Sequence, residues 1–136
     1  MLLSFYAGLY NGLHDNAFLA LLVFCSSINY WRLPVLGWRR SFDMCCANGS
    51  LAYQFFYTST FTSAEARTAY RLTVAAGGVF YMAARSFNRY LGASPKTRPL
   101  ALNYSSACHV CLHICGNVGN LLLYDSLGVN WAGWPR

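Results

Sequence analysis

Charge is scarce in this chain: Asp, Glu, Lys and Arg make up 10% of its 136 residues, against about 25% in ordinary soluble domains. The shortage excludes a disordered tail, which stays unfolded by being charged and poor in apolar residues. It also argues against a water-soluble globule. Acidic charge is scarcest, with four Asp and Glu against ten Lys and Arg, a net charge of +6. A basic excess points to nucleic acid when it forms an exposed face on an otherwise polar chain. This chain is not polar, and no nucleic-acid partner is expected. Signals of processing are lacking too. No basic segment precedes the apolar start at Leu2 and no Arg-rich amphipathic presequence is visible, so either the first span directs insertion or any presequence lies outside these residues. Internal repeats and low-complexity tracts are absent.

What is present is apolar: 56% of residues are hydrophobic and 17% aromatic. Together with cations confined to short stretches, this predicts an all-α, multi-pass membrane protein of about four transmembrane helices in one compact bundle spanning 1–136. The spans are expected at about 2–30, 38–61, 64–90 and 100–124. The first is interrupted by Asn11, His14, Asp15 and Asn16. Its clean part, Ala17 to Cys25, is too short to cross a bilayer, which takes about 20 residues. One long, kinked helix is the preferred reading, and two helices meeting near His14 the alternative. Pro34 should end it, since proline lacks a donor and disfavours helix in the residue before it. In Thr62-Ser-Ala-Glu65 a capping box is expected, with the Thr oxygen accepting from a first-turn amide. Gly92 should stop the third span, and Ser94-Pro-Lys-Thr-Arg-Pro99 should be loop.

The cations check this count. Four spans place Arg32, Arg39, Arg40, Arg85, Arg89, Lys96 and Arg98 on one side, and leave Arg67, Arg71 and Arg136 on the other. The richer side should face matrix, stroma or cytoplasm, with both termini opposite. Arg32, Arg39, Arg40, Lys96 and Arg98 are the candidate contacts for lipid headgroups, and bound phospholipid is expected. Tyr30, Trp31, Trp38, Tyr90, Trp131 and Trp134 flank the spans as interfacial anchors. Gly77 and Gly78, with Ala75, Ala76, Ala83 and Ala84, give the third helix a face for close packing.

Polar side chains inside apolar spans are where function is sought. In Cys108-His-Val-Cys-Leu-His-Ile-Cys-Gly-Asn-Val-Gly-Asn120, the residues His109, His113, Asn117 and Asn120 fall within about 80° of one another on a helix. The stripe is either a packing seam, helped by Gly116 and Gly119, or a cofactor site. His109 and His113, four residues apart, can share one zinc ion, with His14, Asp15 or Asp43 as the remaining candidates for a third ligand. A bis-His haem would need His14 opposite them, and a chlorophyll one imidazole alone. Asp43 can instead pair with Arg40, three residues earlier. His14 and Asp15 read as a proton-relay or quinone-site pair, or as a wet helix break. The six cysteines fall within spans and read as small apolar residues, without a disulfide framework.

His109-x-x-x-His113, together with Asp43 and Ser26 or Ser27 on earlier spans, resembles the zinc-dependent membrane hydrolases that include the alkaline ceramidases. That resemblance implies zinc on His109, His113 and His14, with Asp43 as general base and Ser26 as a further catalytic residue. The segments Asn29-Tyr-Trp-Arg-x-Pro34, Trp38-Arg-Arg-x-x-Asp43 and His109-x-x-x-His113-x-x-x-Asn117 also look like a group of small uncharacterised multi-pass proteins of algae and their large viruses, which implies no activity. The leading expectation is a non-catalytic accessory subunit of a large energy-converting complex, respiratory or photosynthetic, in an organellar inner or thylakoid membrane. It would be surrounded by lipids and other membrane subunits. The alternatives are a zinc-dependent lipid hydrolase using His109, His113 and Asp43, and a haem, quinone or chlorophyll binder.

Overall fold

The computed structural model describes residues 1–32 and 37–127, apart from the side chain of Phe61. These residues form five helices: α1 (Leu2–Tyr10), α2 (His14–Trp31), α3 (Trp38–Phe61), α4 (Ala64–Tyr90) and α5 (Arg98–Ser126). Among the described residues the fold is all-α, with no strand. The stop at Pro34 and the tail carrying Trp131, Trp134 and Arg136 lie outside the described residues.

The expectation of one long first helix is overturned. The chain turns at Asn11–Leu13, where Gly12 takes φ +70°, a left-handed conformation that glycine adopts without the steric cost of a Cβ. Asn11 closes the end of α1 by donating its side-chain amide to the Ala7 carbonyl at 2.8 Å. The Leu13 amide reaches back to the Gly8 carbonyl, also at 2.8 Å. What looked like polar groups in mid-helix is therefore a reversal followed by the first turn of α2. Helix α1 folds back so closely that a Cβ on Gly8 would lie 3.0 Å from the Ala17 backbone. A second expectation falls with the first. The N-terminus does not lie opposite the basic loops, because Met1 is carried back beside Phe24 and Ser27 in the second half of α2.

The remaining helices alternate in direction. Ser26 and Ser27 of α2 bond to Asp43 near the start of α3, while Tyr53, further along α3, bonds to Asp15 at the start of α2. Tyr70 of α4 bonds to Gln54 of α3. Helices α4 and α5 form the longest hairpin, joined at one end by Asn88 to Ser105 at 2.8 Å and at the other by Thr73 against Gly119. Gly77 faces Leu112 and Cys115 of α5, whereas Gly78 faces open space. The core cluster of Ala7, Tyr70, Leu123 and Tyr124 sits at the end where α4 begins and α5 finishes. In this arrangement Arg32, Arg39, Arg40, Arg85, Arg89, Lys96 and Arg98 gather toward one end of the bundle, with Arg67 and Arg71 toward the other.

Local rules account for several helix ends. Ser63, rather than the expected Thr62, caps α4 by accepting from the Ala66 amide at 3.3 Å; Thr62 instead donates back to the Thr58 carbonyl. Gly92 follows the end of α4 as expected, and any Cβ there would collide with the Asn88 carbonyl. Helix α5 starts at Arg98, so Pro99 lies in its first turn, where the missing N–H costs no intrahelical bond.

Buried and exposed positions are mixed in character, with an apolar core at Ala7, Tyr70, Leu123 and Tyr124. Asn16, Ser26, Asp43, Gln54, Thr58 and Asn120 are buried, while Leu3, Phe18, Phe56, Val79 and Val110, one on each helix, are exposed. Helix α5 alone among the described helices is both long and apolar enough to cross a membrane, and only 17% of its most apolar stretch is buried inside the bundle.

Candidate functional site

The stripe on α5 does face protein, and it divides along its length. At its lower end, Asn117 is locked into a seam: its carbonyl oxygen accepts from Ser4 of α1 at 2.6 Å, and its amide donates to the His113 carbonyl at 2.9 Å. Asn120 is buried beyond it. At the upper end, His109 and His113 turn their Nε2 atoms toward each other at 3.0 Å, with their rings edge to face. Two nitrogens at that separation share a proton, so one ring donates from Nε2 and the other accepts there.

Across from the imidazoles stands α2. Its residues Ser27 and Trp31 are four apart and so share a face. The Trp31 ring meets His109 edge-on, with centroids 4.8 Å apart. Ser27, the two histidines and Trp31 line one groove of about 350 Å³, completed by Met1, Phe24 and Ile28. Behind the groove lies Asp43, which is buried and accepts from Ser27 at 2.7 Å and Ser26 at 3.0 Å. The partners of this carboxylate are thus hydroxyls on the neighbouring helix, in place of the expected Arg40 on its own. Ser26 has a second acceptor in the Val23 carbonyl at 3.1 Å, whereas Ser27 is committed to Asp43. The structure therefore brings Ser27, Asp43, His109 and His113 into one neighbourhood from α2, α3 and α5.

It does not bring His14 there. His14 lies thirteen residues before Ser27 on the same helix, about 20 Å along its axis. It lines a separate cavity of about 170 Å³ with Asp15, Asn16 and Tyr53, where the Tyr53 hydroxyl donates to Asp15 at 3.3 Å. His14 is therefore neither the third ligand of a His109–His113 zinc site nor the opposing axial ligand of a haem. Among the described residues no group of three His, Cys, Asp or Glu is placed to hold a metal ion. With both Nε2 atoms directed at each other, a tetrapyrrole metal would have to take the lone pair left on Nδ1 of the donating ring. The residues present do not fit a zinc site with three protein ligands.

The other candidates fall where their chemistry allows. Arg32, Lys96 and Arg98 are exposed and Arg39 and Arg40 half-buried, with the Arg39 guanidinium 5.7 Å from the Trp38 ring. All six cysteines are free. Sequence reasoning missed Met1 and Ser4, because the reversal at Gly12 was needed to bring them to α5. It also took Trp31 for an interfacial anchor alone. The Ser27-x-x-x-Trp31 spacing was the signal available.

No protein-family model matches the chain, and neither does any curated protein or solved structure.

Proposed function

We propose that this chain is a multi-pass membrane bundle, with α2 to α5 crossing the bilayer and α1 folded back within it. We further propose that it serves as a non-catalytic accessory subunit of a larger, energy-converting membrane complex. The observation that carries the reading is the set of large apolar side chains left exposed on every helix. Exposed Phe18, Phe56, Leu72, Val79 and Val110 would be costly against water, at about 25 cal/mol for each Å² of apolar area. Against acyl chains or neighbouring helices they cost nothing. With Asn11 Oδ1, Asn16 Oδ1, Ser50 Oγ and Tyr124 Oη as exceptions among the described residues, the buried polar groups answer the complementary demand that hydrogen-bonding side chains in a bilayer find partners inside the protein. Ser4 with Asn117, Ser26 and Ser27 with Asp43, and Tyr70 with Gln54 all do so.

Gathering of seven cations toward one end supports an orientation with that end on the matrix, stroma or cytoplasmic side. The accessory role is supported by the described chain being almost entirely helix, with little mass left outside the bundle. The hydrolase reading draws on Asp43 and Ser27 beside the histidine pair, but the third zinc ligand it requires is not among the described residues.

Two measurements test the proposal. After alkaline carbonate extraction the protein should stay in the membrane pellet. Solubilised in a mild detergent, it should migrate on native gels within a larger assembly whose other chains co-purify with it. Migration as a free monomer in its own micelle refutes the accessory role, and release by carbonate refutes the membrane reading beneath it.

A further inference from the structure

We infer that the α4–α5 hairpin stands out of the membrane at its closed end and docks there on an acidic surface of a neighbouring subunit, with Arg89, Lys96 and Arg98 as the charges it presents. The inference deepens the accessory-subunit reading above and rests on it.

Contacts between helices fix where the rest of the bundle stops. Helix α2 ends at Trp31, whose ring meets His109 of α5. On α3, Asp43 is bonded by Ser26 and Ser27, so its first residue, Trp38, stands about level with Trp31. In the hairpin, Asn88 bonds to Ser105, which sets Arg85 about level with His109. Trp31, Arg32, Trp38, Arg39 and Arg85 therefore share one level, a ring of aromatics and cations of the kind found where a membrane meets water. From there α2 runs back 18 residues to His14, about 27 Å, close to a hydrocarbon core of about 30 Å. Among the described residues only the hairpin continues past the ring. Helix α5 begins at Arg98, about 16 Å beyond the level of His109. A headgroup layer is about 5–8 Å deep, so Lys96 and Arg98 stand beyond it rather than within it as expected.

The projecting tip is held in shape by its own contacts. The Phe87 and Tyr104 rings stack with centroids 5.2 Å apart, Asn88 donates to Ser105 at 2.8 Å, and Thr97 donates to the Leu91 carbonyl across the turn. Its surface is basic and apolar together. Arg89, Lys96 and Arg98 are exposed, and the sequence holds no acidic residue between Glu65 and Asp125. Asp43, the acid at this end of the bundle, is buried against its two serines. On the same tip Tyr90, Leu100 and Leu102 are 73%, 48% and 54% exposed. Cations without an acid among them call for carboxylates from a partner, and large apolar side chains outside the hydrocarbon call for an apolar counterpart. A protein surface offers both, since interfaces join an apolar, aromatic and arginine-rich centre to a polar rim. Phosphates of lipid or nucleic acid would answer the charges alone, and the headgroups lie too low to reach the tip.

Lys96 is the single lysine of the chain, which makes the contact testable in the intact assembly. Membranes carrying the protein are treated with a water-soluble carbodiimide, which joins an amine directly to a carboxylate touching it. An adduct to another protein is expected, linked from Lys96 to an Asp or Glu. It should be absent from Lys96→Arg, which keeps the charge and cannot form the amide. Changing Arg89, Lys96 and Arg98 together to Gln should lower the share of the chain in the large assembly on native gels at least tenfold, while carbonate leaves it in the membrane pellet. Four results overturn the inference: no Lys96-dependent adduct, an adduct to a phospholipid carboxyl or to a second copy of this chain, release of the wild type from the assembly by nuclease, or a triple variant that assembles as fully as wild type. The two failures are separable. A chain held in the assembly without the adduct loses only this docking surface, whereas a chain that migrates alone loses the accessory reading first.

Discussion

Replacing Gly119 by alanine probes the closest approach between the two longest helices. A Cβ at that position would lie 2.7 Å from Thr73 Oγ1 and 3.5 Å from the Tyr70 ring. The threonine cannot simply swing aside, because Oγ1 donates to the Tyr70 carbonyl at 2.7 Å. Relative to ordinary contact the new methyl is short of room by about 0.7 Å, and overpacking of that kind costs about 1–3 kcal/mol. Alanine gains about 0.5–1 kcal/mol over glycine through helix propensity. The net loss should be about 1–2 kcal/mol, which lowers the melting temperature of a chain this size by roughly 3–8 °C. Gly78 supplies the control. It lies on the same hairpin with nothing within 4 Å of its Cβ position, so Gly78→Ala should melt at or above the wild-type temperature. Adding Thr73→Ala to Gly119→Ala removes the clashing oxygen and should recover most of the loss. Thermal unfolding of the purified protein in one detergent, followed by circular dichroism at 222 nm, compares all four chains. If Gly119→Ala melts no lower than Gly78→Ala, or if Thr73→Ala brings no recovery, the packing of α4 on α5 is not as described.

Asp43→Leu should be among the most destabilising substitutions at a position outside the apolar core. It strands the Ser27 hydroxyl, and an unsatisfied buried polar group costs about 1–3 kcal/mol. Asp43→Asn keeps an acceptor and should cost less than half as much in the same melting experiment. Equal stability of the leucine variant and wild type would remove the Ser–Asp–Ser cluster as a structural element. Orientation is tested with a membrane-impermeant maleimide on intact organelles or vesicles. Lys96→Cys should be labelled from the matrix, stroma or cytoplasmic side and Glu65→Cys from the opposite one; labelling of both from a single side contradicts alternate crossing by α4 and α5.

Much of this architecture could be read from residue order, for reasons that differ by element. Helices α3 and α4 run over 38–61 and 64–90 as expected, and local chemistry at Ser63 and Gly92 marks the ends of α4. The first helix was misread because a turn and a polar patch in a long helix share one composition: Asn11, Gly12, His14 and Asp15 suit either. What decides is the fit of Gly8 against Ala17, a tertiary contact with no local signature. The site divides in the same way. That His109, His113 and Asn117 share a face follows from helical spacing, so an inward stripe was legible. Which residues would meet it depended on α1 folding back and on the register of α2 against α5, and so Ser4, Met1 and Trp31 emerge only in three dimensions.

The same distinction bears on why α5 alone among the described helices is apolar enough on average to cross a membrane, although every helix leaves large apolar side chains exposed. Averaging along a helix sums its faces. On α3, buried Asp43, Ser50, Gln54 and Thr58 pull the mean down although none of them touches the surroundings, while Phe42, Phe55 and Phe56 on the outside set what the surroundings must be. Asp43 is answered by Ser26 and Ser27, and Gln54 by Tyr70, so much of the polarity that lowers the average is already satisfied within the protein. A helix in a bilayer is constrained by what its outer face meets and by whether its inner polar groups are paired. On α3 the pairing is incomplete, since the Ser50 hydroxyl is buried without a partner and Ser41, Asn48, Ser59 and Thr60 lie exposed among the phenylalanines, yet the Ser–Asp–Ser cluster that lowers its average is also what ties α3 to α2 behind the groove beside His109 and His113.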